Sequence, residues 1–330
     1  MKIGLIHNQP IPKGEPNWES SADVMVQVEA IGEALTGMGQ AWSAIPFTRD
    51  LAGFTARVKA EGINLAFNLC ESVDEDPLLI GHPAAVLELL GLPFTGSPSQ
   101  ALMLSTDKLL MKMVLRAAGL RTPGSFTYEG EELRRLPGLT YPLLMKPRWQ
   151  DASIGIDQES IIRSPKELQP SLRHWYQSFG PLVVEEYLEG REFNLSLLGY
   201  PTPKIMPLAE IDFTGFPAGL FPIVGYRAKW DDSTTEYHTT NRVFPDNLPE
   251  NLARAMRRLA RECFQLFGLR DYARVDLRLD GRGRPHVLEV NANPCLSPDA
   301  GFAAAVARSG RDYSGMVAEL LRMVGRRVPQ

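Results

Sequence analysis

The sequence has few of the features that mark exported, membrane-spanning or zinc-binding proteins. It contains three cysteines, Cys70, Cys263 and Cys295, whose wide spacing fits neither a disulfide framework nor a zinc site. No apolar run approaches the roughly 18–20 residues that cross a bilayer, and the first segment, MKIGLIHNQP, turns polar too early for an export signal. We therefore expect a cytoplasmic protein that is neither exported nor anchored in a membrane.

The chain also lacks an excess of either charge and any internal repeat. Lys and Arg together number 35 against 39 for Asp and Glu, which gives a formal net charge of −4. This balance provides no basic surface for a nucleic acid. The absence of a repeat or a low-complexity tract excludes solenoids and propellers. With 330 residues, the chain is long enough for two or three domains.

The first hundred residues alternate between short apolar runs and stretches with helical periodicity. In chain order these strand and helix candidates are residues 2–6, 24–38, 41–46, 50–60, 63–69 and 79–91. Such alternation predicts a parallel sheet flanked by helices. The turn-rich segment TGSPSQ ends this unit, and we place the first domain boundary at residue 100.

The rest of the chain predicts two α+β units, residues 101–188 and 189–330. Strand candidates are 126–128, 141–147, 181–188, 192–198, 272–280 and 286–292, and helix candidates are 101–118, 165–179, 248–267 and 313–324. Between them, residues 212–245 form a long polar and aromatic stretch. Loops of this length are uncommon inside a compact domain and are often functional, so we predict a lid here.

The last two strand candidates carry the strongest chemical signal. A period of two puts Arg274 and Asp276 on the polar face of the first strand. On the second strand it puts Val287 and Glu289 on the polar face and Leu288 on the apolar face. If GRGR forms a four-residue hairpin loop, Asp276 lies directly across from Glu289. Like charges in opposition destabilise a sheet, so we expect a cation between them.

Asp276, Glu289 and Asn291 together supply two carboxylates and one amide oxygen on one side of this hairpin. Such a hard oxygen set suits Mg²⁺, with Mn²⁺ as a substitute, because Mg²⁺ completes its octahedron with waters and nucleotide phosphates. The set therefore predicts bound ATP. The alternative is that Arg274 merely neutralises Asp276 on a solvated sheet face.

Two further segments have features of a nucleotide site. Lys146 ends an apolar strand just before the loop WQDASIG, whose backbone amides can close over phosphates. The strand PLVVEEYL runs into Glu185 and Glu186, and Glu192 follows a turn at Gly190. A hinge of this kind can offer backbone groups to adenine and a carboxylate to ribose. Either segment alone is a weak signal, because a lysine after a strand is usually solvated.

In this order and at this spacing, MKP…SIG, VVEEYLEGREF and RVDLRLDG…LEVNANP resemble the motifs of the ATP-grasp enzymes, and most of all those of the D-alanine–D-alanine ligases. The segments LELLGLPFTGS and STDK also resemble that family. The resemblance implies a three-domain ATP-grasp fold, in which a parallel-sheet domain precedes two α+β units that hold the nucleotide. It implies an amide-forming ligase that activates a carboxylate as an acyl phosphate, using ATP and Mg²⁺.

The resemblance also assigns nucleotide-binding roles by position. The positions concerned are Lys108, Lys146, Ser153, Glu185, Glu186, Tyr187, Leu188 and Glu192. Lys108 and Lys146 would contact the phosphates, and Ser153 would lie in the phosphate loop. Glu185 would accept a hydrogen bond from the exocyclic amine of adenine. The Tyr187 and Leu188 backbone would frame adenine, with Glu192 on the ribose.

On the reactive side, the resemblance implies that Asp276, Glu289 and Asn291 bind one or two Mg²⁺ ions. Arg274 would stabilise the oxyanion, and Lys229, in the segment YRAKW, would reach the transferred phosphate. The implied substrates are a small carboxylate and a small amine, each an amino acid or a peptide. A homodimer is implied as well.

The chain departs from the family at positions that bind substrate. The family uses a phosphate-loop serine, a lid tyrosine and an N-terminal glutamate, where this chain has Ala152, Trp230 and a candidate Asp23. A serine that holds the second carboxylate is replaced by Ala300. D-alanyl-D-alanine is therefore not assured as the product. We hypothesise that Asp299 meets a cationic or amine-bearing acceptor.

Other readings of the sequence remain open. Cys295 replaces a family glycine, but no histidine neighbours it to activate the thiol as a nucleophile. A non-catalytic ATP-binding module would keep the hinge and the lysines without needing Arg274 or a complete metal set. A metal-dependent phosphohydrolase would normally use histidines or more acids than this hairpin supplies.

Overall fold

The N-terminal part of the protein forms a parallel sheet with helices packed on it. The computed structural model describes residues 1–135 and 138–327. The first elements are β1 (Lys2–Asn8), α1 (Trp18–Gly37), β2 (Ala41–Phe47), α2 (Leu51–Ala60), β3 (Leu65–Asn68), α3 (His82–Leu89) and β4 (Phe94–Thr95). The strand order is β2-β1-β3-β4, and every pair is parallel. The predicted parallel sheet is therefore confirmed.

Helix α1 packs through a periodic apolar face. Val24, Val28, Ile31 and Leu35 recur at helical spacing and are buried in one core with the sheet. The helix begins at Trp18, six residues before the predicted start. The sequence predicted too late a start because the first turns are polar and carry no apolar period.

The middle of the chain forms an antiparallel sheet of order β5-β8-β6-β7. Its elements are α4 (Ser99–Thr106), α5 (Lys108–Ala117), β5 (Ser125–Tyr128), β6 (Leu143–Pro147), β7 (Ile161–Ile162), α6 (Pro165–Phe179) and β8 (Leu182–Glu186). The single helix predicted over residues 101–118 is wrong. It is divided at Asp107, whose carboxylate caps the N–H groups of Leu109 and Leu110 and pairs with Arg148. This cap starts α5 at Lys108.

The C-terminal part builds a six-stranded sheet with the path β12-β11-β9-β13-β14 and β10 paired to β9. Its elements are β9 (Glu192–Leu198), β10 (Lys204–Ile205), β11 (Ala209–Asp212), α7 (Tyr226–Trp230), α8 (Thr235–His238), β12 (Asn241–Val243), α9 (Glu250–Leu266), β13 (Tyr272–Leu279), β14 (Pro285–Asn291), α10 (Gly301–Arg308) and α11 (Tyr313–Arg327). The predicted lid, residues 212–245, is not a structureless loop, because it contains α7, α8 and β12. Helix α10 was not predicted, because its apolar residues are consecutive, from Phe302 to Ala307, and show no helical period.

The last helix returns to the N-terminal sheet. Met316, Val317 and Leu320 of α11 share a core with Ile3 and Leu5 of β1. At its end, Arg327 pairs with the buried carboxylate of Asp271. Across residues 1–135 and 138–327, no helix is both long and apolar enough to cross a membrane.

The strands of each sheet fall within one of the three predicted segments. The boundaries at residues 100 and 188 nevertheless remain a proposal, since α11 packs on the first segment. Residues 136–137 of the predicted second domain and 328–330 of the third lie outside the described residues.

Candidate active site

Most of the predicted site residues line one cavity, which lies between the four-stranded sheet of β5–β8 and the six-stranded C-terminal sheet. The cavity has a volume of about 450 Å³. The predicted residues that line it are Lys146, Ser153, Glu185, Glu186, Tyr187, Leu188, Glu192, Lys229, Arg274, Asp276 and Glu289. Lys108 and Asn291 line an adjoining cavity of about 310 Å³, which also includes Lys229, Arg274 and Glu289. We call the first the nucleotide cavity and the second the junction cavity.

The hairpin of β13 and β14 places Asp276 opposite Glu289, as predicted. Two departures from the predicted geometry cancel. Leu279 lies opposite Pro285, whereas a four-residue GRGR loop would place Asp280 opposite Pro285. A bulge between Asp276 and Leu277 then restores the predicted register. The bulge leaves Leu288 unpaired.

The bulge reverses the predicted faces of two β14 residues. Val287 is fully buried in the apolar core, whereas Leu288 lines the nucleotide cavity. The predicted assignment of Val287 to the polar face and Leu288 to the apolar face is therefore wrong. A strict period of two holds only up to the extra residue of a bulge. The consequence is an apolar side chain on the wall of the nucleotide cavity.

Asp276 is neutralised from within the protein. Both of its oxygens accept hydrogen bonds from Arg274, each at 2.8 Å, so the ion pair proposed as an alternative does form. Asn194 Nδ2 also donates to Asp276 Oδ1 at 2.8 Å. Sequence reasoning missed Asn194, although its place beside Glu192 on the polar period of β9 is a usable signal. Oδ2 accepts only the hydrogen bond from Arg274 among the described residues, so it keeps a second lone pair for a metal ion while Arg274 stays in place.

Glu289 lies among cations and close to a second carboxyl group. Burial tends to raise the pKa of Glu289, but Lys108 and Arg274, with other lysines, lower it below its ordinary value. Burial raises the pKa of neighbouring Asp151 to about 6, against the attraction of Lys108 and together with repulsion from Glu289. Two carboxyl groups this close favour an added cation.

The oxygen donors present fit Mg²⁺. Asp276 and Glu289 are hard ligands, and the crowding of Glu289 by Asp151 is what a divalent cation relieves. Asn291 Oδ1 accepts from the Asn293 N–H at 2.9 Å and keeps its second lone pair. Among the described residues, no three His, Cys, Asp or Glu side chains are grouped so as to hold a metal. Water and phosphate oxygens would therefore complete the coordination.

Glu185 lies between two lysines at the base of the nucleotide cavity. Its carboxylate pairs with Lys146 on β6 and with Lys112 on α5, the latter at 2.5 Å. Burial alone would raise the pKa of Glu185, but the two ammonium groups hold it at about 2. Its predicted hydrogen bond to adenine stays a prediction, because both oxygens already face lysines. Lys112 was missed, although it follows Lys108 at the helical spacing of four.

Replacing Lys112 by methionine is expected to lower the free energy of unfolding by about 1–3 kcal/mol, because Glu185 loses a charged partner in a dry site. The side chain of Lys112 is only 1% exposed, so solvent cannot replace it. Urea unfolding measures the change. Lys166→Met, at an exposed position of α6, is the matched control. Equal unfolding midpoints for the two variants would show that Lys112 does not stabilise this site.

The hinge between β8 and β9 presents a backbone edge to the nucleotide cavity. The Tyr187 N–H is used by the Pro142 carbonyl at 3.0 Å, whereas the Leu188 N–H has no hydrogen-bond partner within residues 1–135 and 138–327. Glu186 lines the cavity, but its carboxylate is bound elsewhere, since Oε1 accepts from the Thr140 N–H at 2.8 Å. Of the predicted hinge groups, the Leu188 N–H is thus available to adenine.

Glu192, the predicted ribose ligand, is paired with a residue that the sequence did not reveal. Arg278 Nη1 donates to Glu192 Oε2 at 2.9 Å, and Arg278 also donates to the Tyr187 hydroxyl at 2.9 Å. Burial raises the pKa of Glu192, an effect that Arg278 opposes. A cross-strand pair between β9 and β13 depends on strand order, which periodicity does not predict.

The lid segment, residues 212–245, is hydrogen-bonded to the phosphate loop, residues 149–155. Ser153 Oγ donates to the Val224 carbonyl at 2.7 Å, and Trp230 Nε1 donates to the Ala152 carbonyl at 3.0 Å. Ala152 and Ser153 both have positive φ, 55° and 63°. In this backbone conformation their N–H groups point sideways from the loop instead of along the chain. The Ser153 hydroxyl is thus committed to the lid, and its backbone N–H is the group left for a phosphate.

Lys229 of the lid lies where the nucleotide and junction cavities meet. No carboxylate of the described residues forms an ion pair with it. Burial and the nearby Arg274 guanidinium lower the pKa of Lys229. Because Lys229 forms no ion pair with a described carboxylate, its ammonium group is available to an anion.

Asp23 joins the N-terminal domain to the loop after β14. Its carboxylate accepts from the Cys295 thiol at 2.9 Å and from the Ser297 hydroxyl at 2.9 Å. Burial, with Glu71 and Asp23 nearby, raises the pKa of the Cys295 thiol, which argues against a nucleophilic thiolate. Asp23 lines the junction cavity, but its side chain already has partners in the protein.

The hypothesis that Asp299 selects a cationic acceptor meets a competing cation. Arg242 of β12 donates to the Asp299 carbonyl at 3.2 Å and lines both cavities. Sequence reasoning missed Arg242, because it lies in the segment predicted as a loop. The hypothesis stays a prediction. A cationic acceptor at Asp299 would have to approach the positive charge of Arg242.

Comparison with known proteins gives consistent matches. Residues 126–322 match the family described as D-ala D-ala ligase C-terminus. The D-alanine--D-alanine ligase of Moorella thermoacetica is 29% identical over 97% of this chain and 98% of its own length. The uncharacterized protein y4sG of Sinorhizobium fredii is 31% identical over 80% of this chain and 75% of its own.

A similar solved structure is the D-alanine--D-alanine ligase from Bacillus anthracis complexed with ATP. It superimposes with a TM-score of 0.75 over 99% of this chain and 98% of its own, at 22% sequence identity. This likeness shows that the fold is the same.

Proposed function

The chain belongs to the D-alanine–D-alanine ligase family, and from this premise we propose that it is an ATP-dependent ligase that joins a small-molecule carboxylate to an amine. The proposed intermediate is an acyl phosphate, and the proposed products are an amide, ADP and phosphate. The observation that carries the proposal is the meeting of Lys146, Lys229, Arg274, Asp276 and Glu289 in one cavity.

The chemistry explains why ATP is needed. A carboxylate does not react with an amine at neutral pH, because oxide would have to leave. Its oxygen therefore first attacks the γ-phosphorus of ATP, so that the phosphoryl group moves to the carboxylate and ADP leaves. Lys146 keeps its charge for the nucleotide, since Lys112 shares the neutralisation of Glu185. Mg²⁺ held by Asp276, Glu289 and the second lone pair of Asn291 would screen the phosphate charge.

The later step needs donors at the oxygen that becomes negative when the amine attacks. Arg274 lines both cavities and is held in place by its two hydrogen bonds to Asp276, which makes it a preorganised donor. Lys229, without an ion pair in the described part of the chain, is the proposed contact of the transferred phosphoryl group. Both act from the junction of the two cavities.

The two alternatives are less favoured. A non-catalytic ATP-binding module has no need for an arginine in the junction cavity, nor for a lysine there that forms no ion pair with any described residue. A two-metal phosphohydrolase needs a larger ligand set than the hairpin provides, and residues 1–135 and 138–327 contain no group of three His, Cys, Asp or Glu able to form one. The carboxylate–amine ligase uses all of these groups.

Replacing Trp230 by phenylalanine is expected to raise the ATP hydrolysed per amide formed by about fivefold, since the lid loses one hydrogen bond of about 1 kcal/mol to the phosphate loop. A looser lid admits water, which competes with the amine for the acyl phosphate. The ratio of phosphate to amide is measured at saturating substrates. Trp42→Phe removes a similar indole hydrogen bond far from the site and serves as the control. An unchanged ratio in Trp230→Phe would exclude a water-excluding role for this contact.

The proposed function is tested by ADP release over a panel of D- and L-amino acids, dipeptides and polyamines. Each compound is supplied alone and with a second substrate, in the presence of ATP and Mg²⁺. A ligase releases ADP rapidly only when both a carboxylate and an amine are present, with one amide formed per ADP. ADP release that never depends on a second substrate contradicts the proposal.

A further inference from the structure

A third cavity adjoins the junction cavity on the side of the N-terminal domain. It has a volume of about 560 Å³ and lies between the loop after β1 and the phosphate loop. Glu71, Gln150, Asp151 and Ala152 line both this cavity and the junction cavity, so the two cavities adjoin along these residues. We call it the acidic cavity. The acidic cavity is therefore next to the place where a substrate would react beside Arg274.

The charges that line the acidic cavity have one sign. Glu15, Glu71, Glu75 and Asp151 are lining residues, and none of the described lining residues is Lys, Arg or His. Asp151 has Lys108 at 4.0 Å, on the side of the junction cavity. Glu71 accepts a hydrogen bond from Gln27 Nε2 at 3.1 Å, but no cation of the described residues pairs with it.

Burial raises the pKa of Glu71 to about 7, an effect that Gln27 and, more weakly, Lys229 oppose and that Asp23 and Asp151 reinforce. The ionised carboxylate is therefore destabilised as long as no positive charge lies beside it. A ligand cation would remove this penalty, whereas a neutral ligand of equal shape would leave it. The acidic cavity thus discriminates by charge.

The amide of Asn8 is a separate feature of this cavity that suits a ligand oxygen. Asn8 lines the acidic cavity and is only 4% exposed. Its Oδ1 accepts from the Glu71 N–H at 3.3 Å, which fixes the orientation of the amide. Its Nδ2 donates to no atom of the described residues. This amide nitrogen is left as a donor in the wall of the cavity, and an oxygen of a bound molecule would accept from it.

Given the proposed ligase function, on which this inference rests, we propose that one of the two substrates is a basic amino acid or a short peptide carrying one. Its ammonium or guanidinium group lies in the acidic cavity beside Glu71 and Asp151, and a carbonyl or carboxylate oxygen of the same molecule accepts from Asn8. The cavity volume of about 560 Å³ accommodates a side chain much longer than that of alanine.

The test compares charged substrates with neutral ones of the same shape. ADP release is measured for D- and L-arginine against D- and L-citrulline, and for D- and L-lysine against D- and L-norleucine, each with a panel of second substrates. The expected result is a kcat/KM at least about tenfold higher for the charged member of one pair, because its partner leaves Glu71 unpaired. Equal or higher values for the neutral members overturn the inference.

Variants locate the preference within the acidic cavity. Glu71→Gln is expected to remove most of the preference, whereas Glu71→Asp keeps a charge and most of the preference. Glu29→Gln, on the exposed side of α1, is the matched control and leaves it unchanged. A preference that survives Glu71→Gln in full overturns the assignment to this cavity.

Calorimetric titration of the wild-type protein with the same pairs, in the presence of a non-hydrolysable ATP analogue, separates this inference from the proposed function. Tighter binding of the charged member supports the acidic cavity even if no amide forms, in which case the proposed function is what fails. Equal affinities overturn the inference even if neutral substrates are ligated.

Discussion

Replacing Arg274 by alanine is expected to lower kcat for amide formation by about 10²–10³-fold, the usual effect of removing a preorganised donor to an oxyanion. The guanidinium lies in both cavities and is fixed by two hydrogen bonds of 2.8 Å to Asp276. Because the donor acts only after negative charge develops, the KM for ATP should change much less than kcat. Steady-state kinetics with the best substrate pair measures both constants.

Arg282→Ala provides the control for this variant. Arg282 lies in the same hairpin, but it is exposed and remote from both cavities. Thermal unfolding of Arg274→Ala is recorded as well, because Asp276 loses its main partner. A folded Arg274→Ala enzyme with the kcat of Arg282→Ala would contradict the proposed role.

Glu289→Gln is expected to raise the Mg²⁺ concentration that gives half-maximal activity by about 10–100-fold, because the metal loses one of two carboxylate ligands. The substitution keeps the size of the side chain and changes only its charge. It removes the repulsion of Asp151 but also the attraction of the cations around Glu289, so thermal unfolding of the variant is recorded as well. Activity is titrated with Mg²⁺ and, separately, with Mn²⁺.

Glu262→Gln, in a solvent-facing position of α9, is the matched loss of one negative charge. It should leave the metal dependence unchanged. If Glu289→Gln shows the same Mg²⁺ curve as Glu262→Gln, then Glu289 is not a metal ligand.

The hairpin shows how far periodicity predicts a site. The opposition of Asp276 and Glu289 is confirmed, but through a different loop register and a bulge that compensate each other. A sequence pattern alone contains no signal for a bulge, so the faces of Val287 and Leu288 were predicted wrongly. The polar face near the proposed metal site was predicted correctly because it lies beyond the bulge, where alternation resumes.

The missed residues share one property, which is that their partners are distant in sequence. Asn194 and Arg278 contact the site across β9 and β13, and strand order is a tertiary property. Lys112 reaches Glu185 from another element altogether. Sequence motifs identify residues that lie in one segment of the chain. Asn194, Arg278 and Lys112 reach the site only because the fold brings separate segments together.

The lid illustrates the limit set by element length. Helices α7 and α8 span five and four residues, too few for an apolar period to emerge. Isolated helices this short are unstable in water, so contacts such as that between Trp230 and Ala152 must hold them. These contacts are invisible in the sequence of the segment itself.

The acyl phosphate is tested most directly by following the oxygen of the carboxylate substrate. With both carboxylate oxygens labelled as ¹⁸O and the second substrate present, one ¹⁸O should appear in each phosphate released, because the oxygen leaves with the phosphoryl group. Phosphate that carries no label while amide accumulates would contradict activation of the carboxylate by ATP.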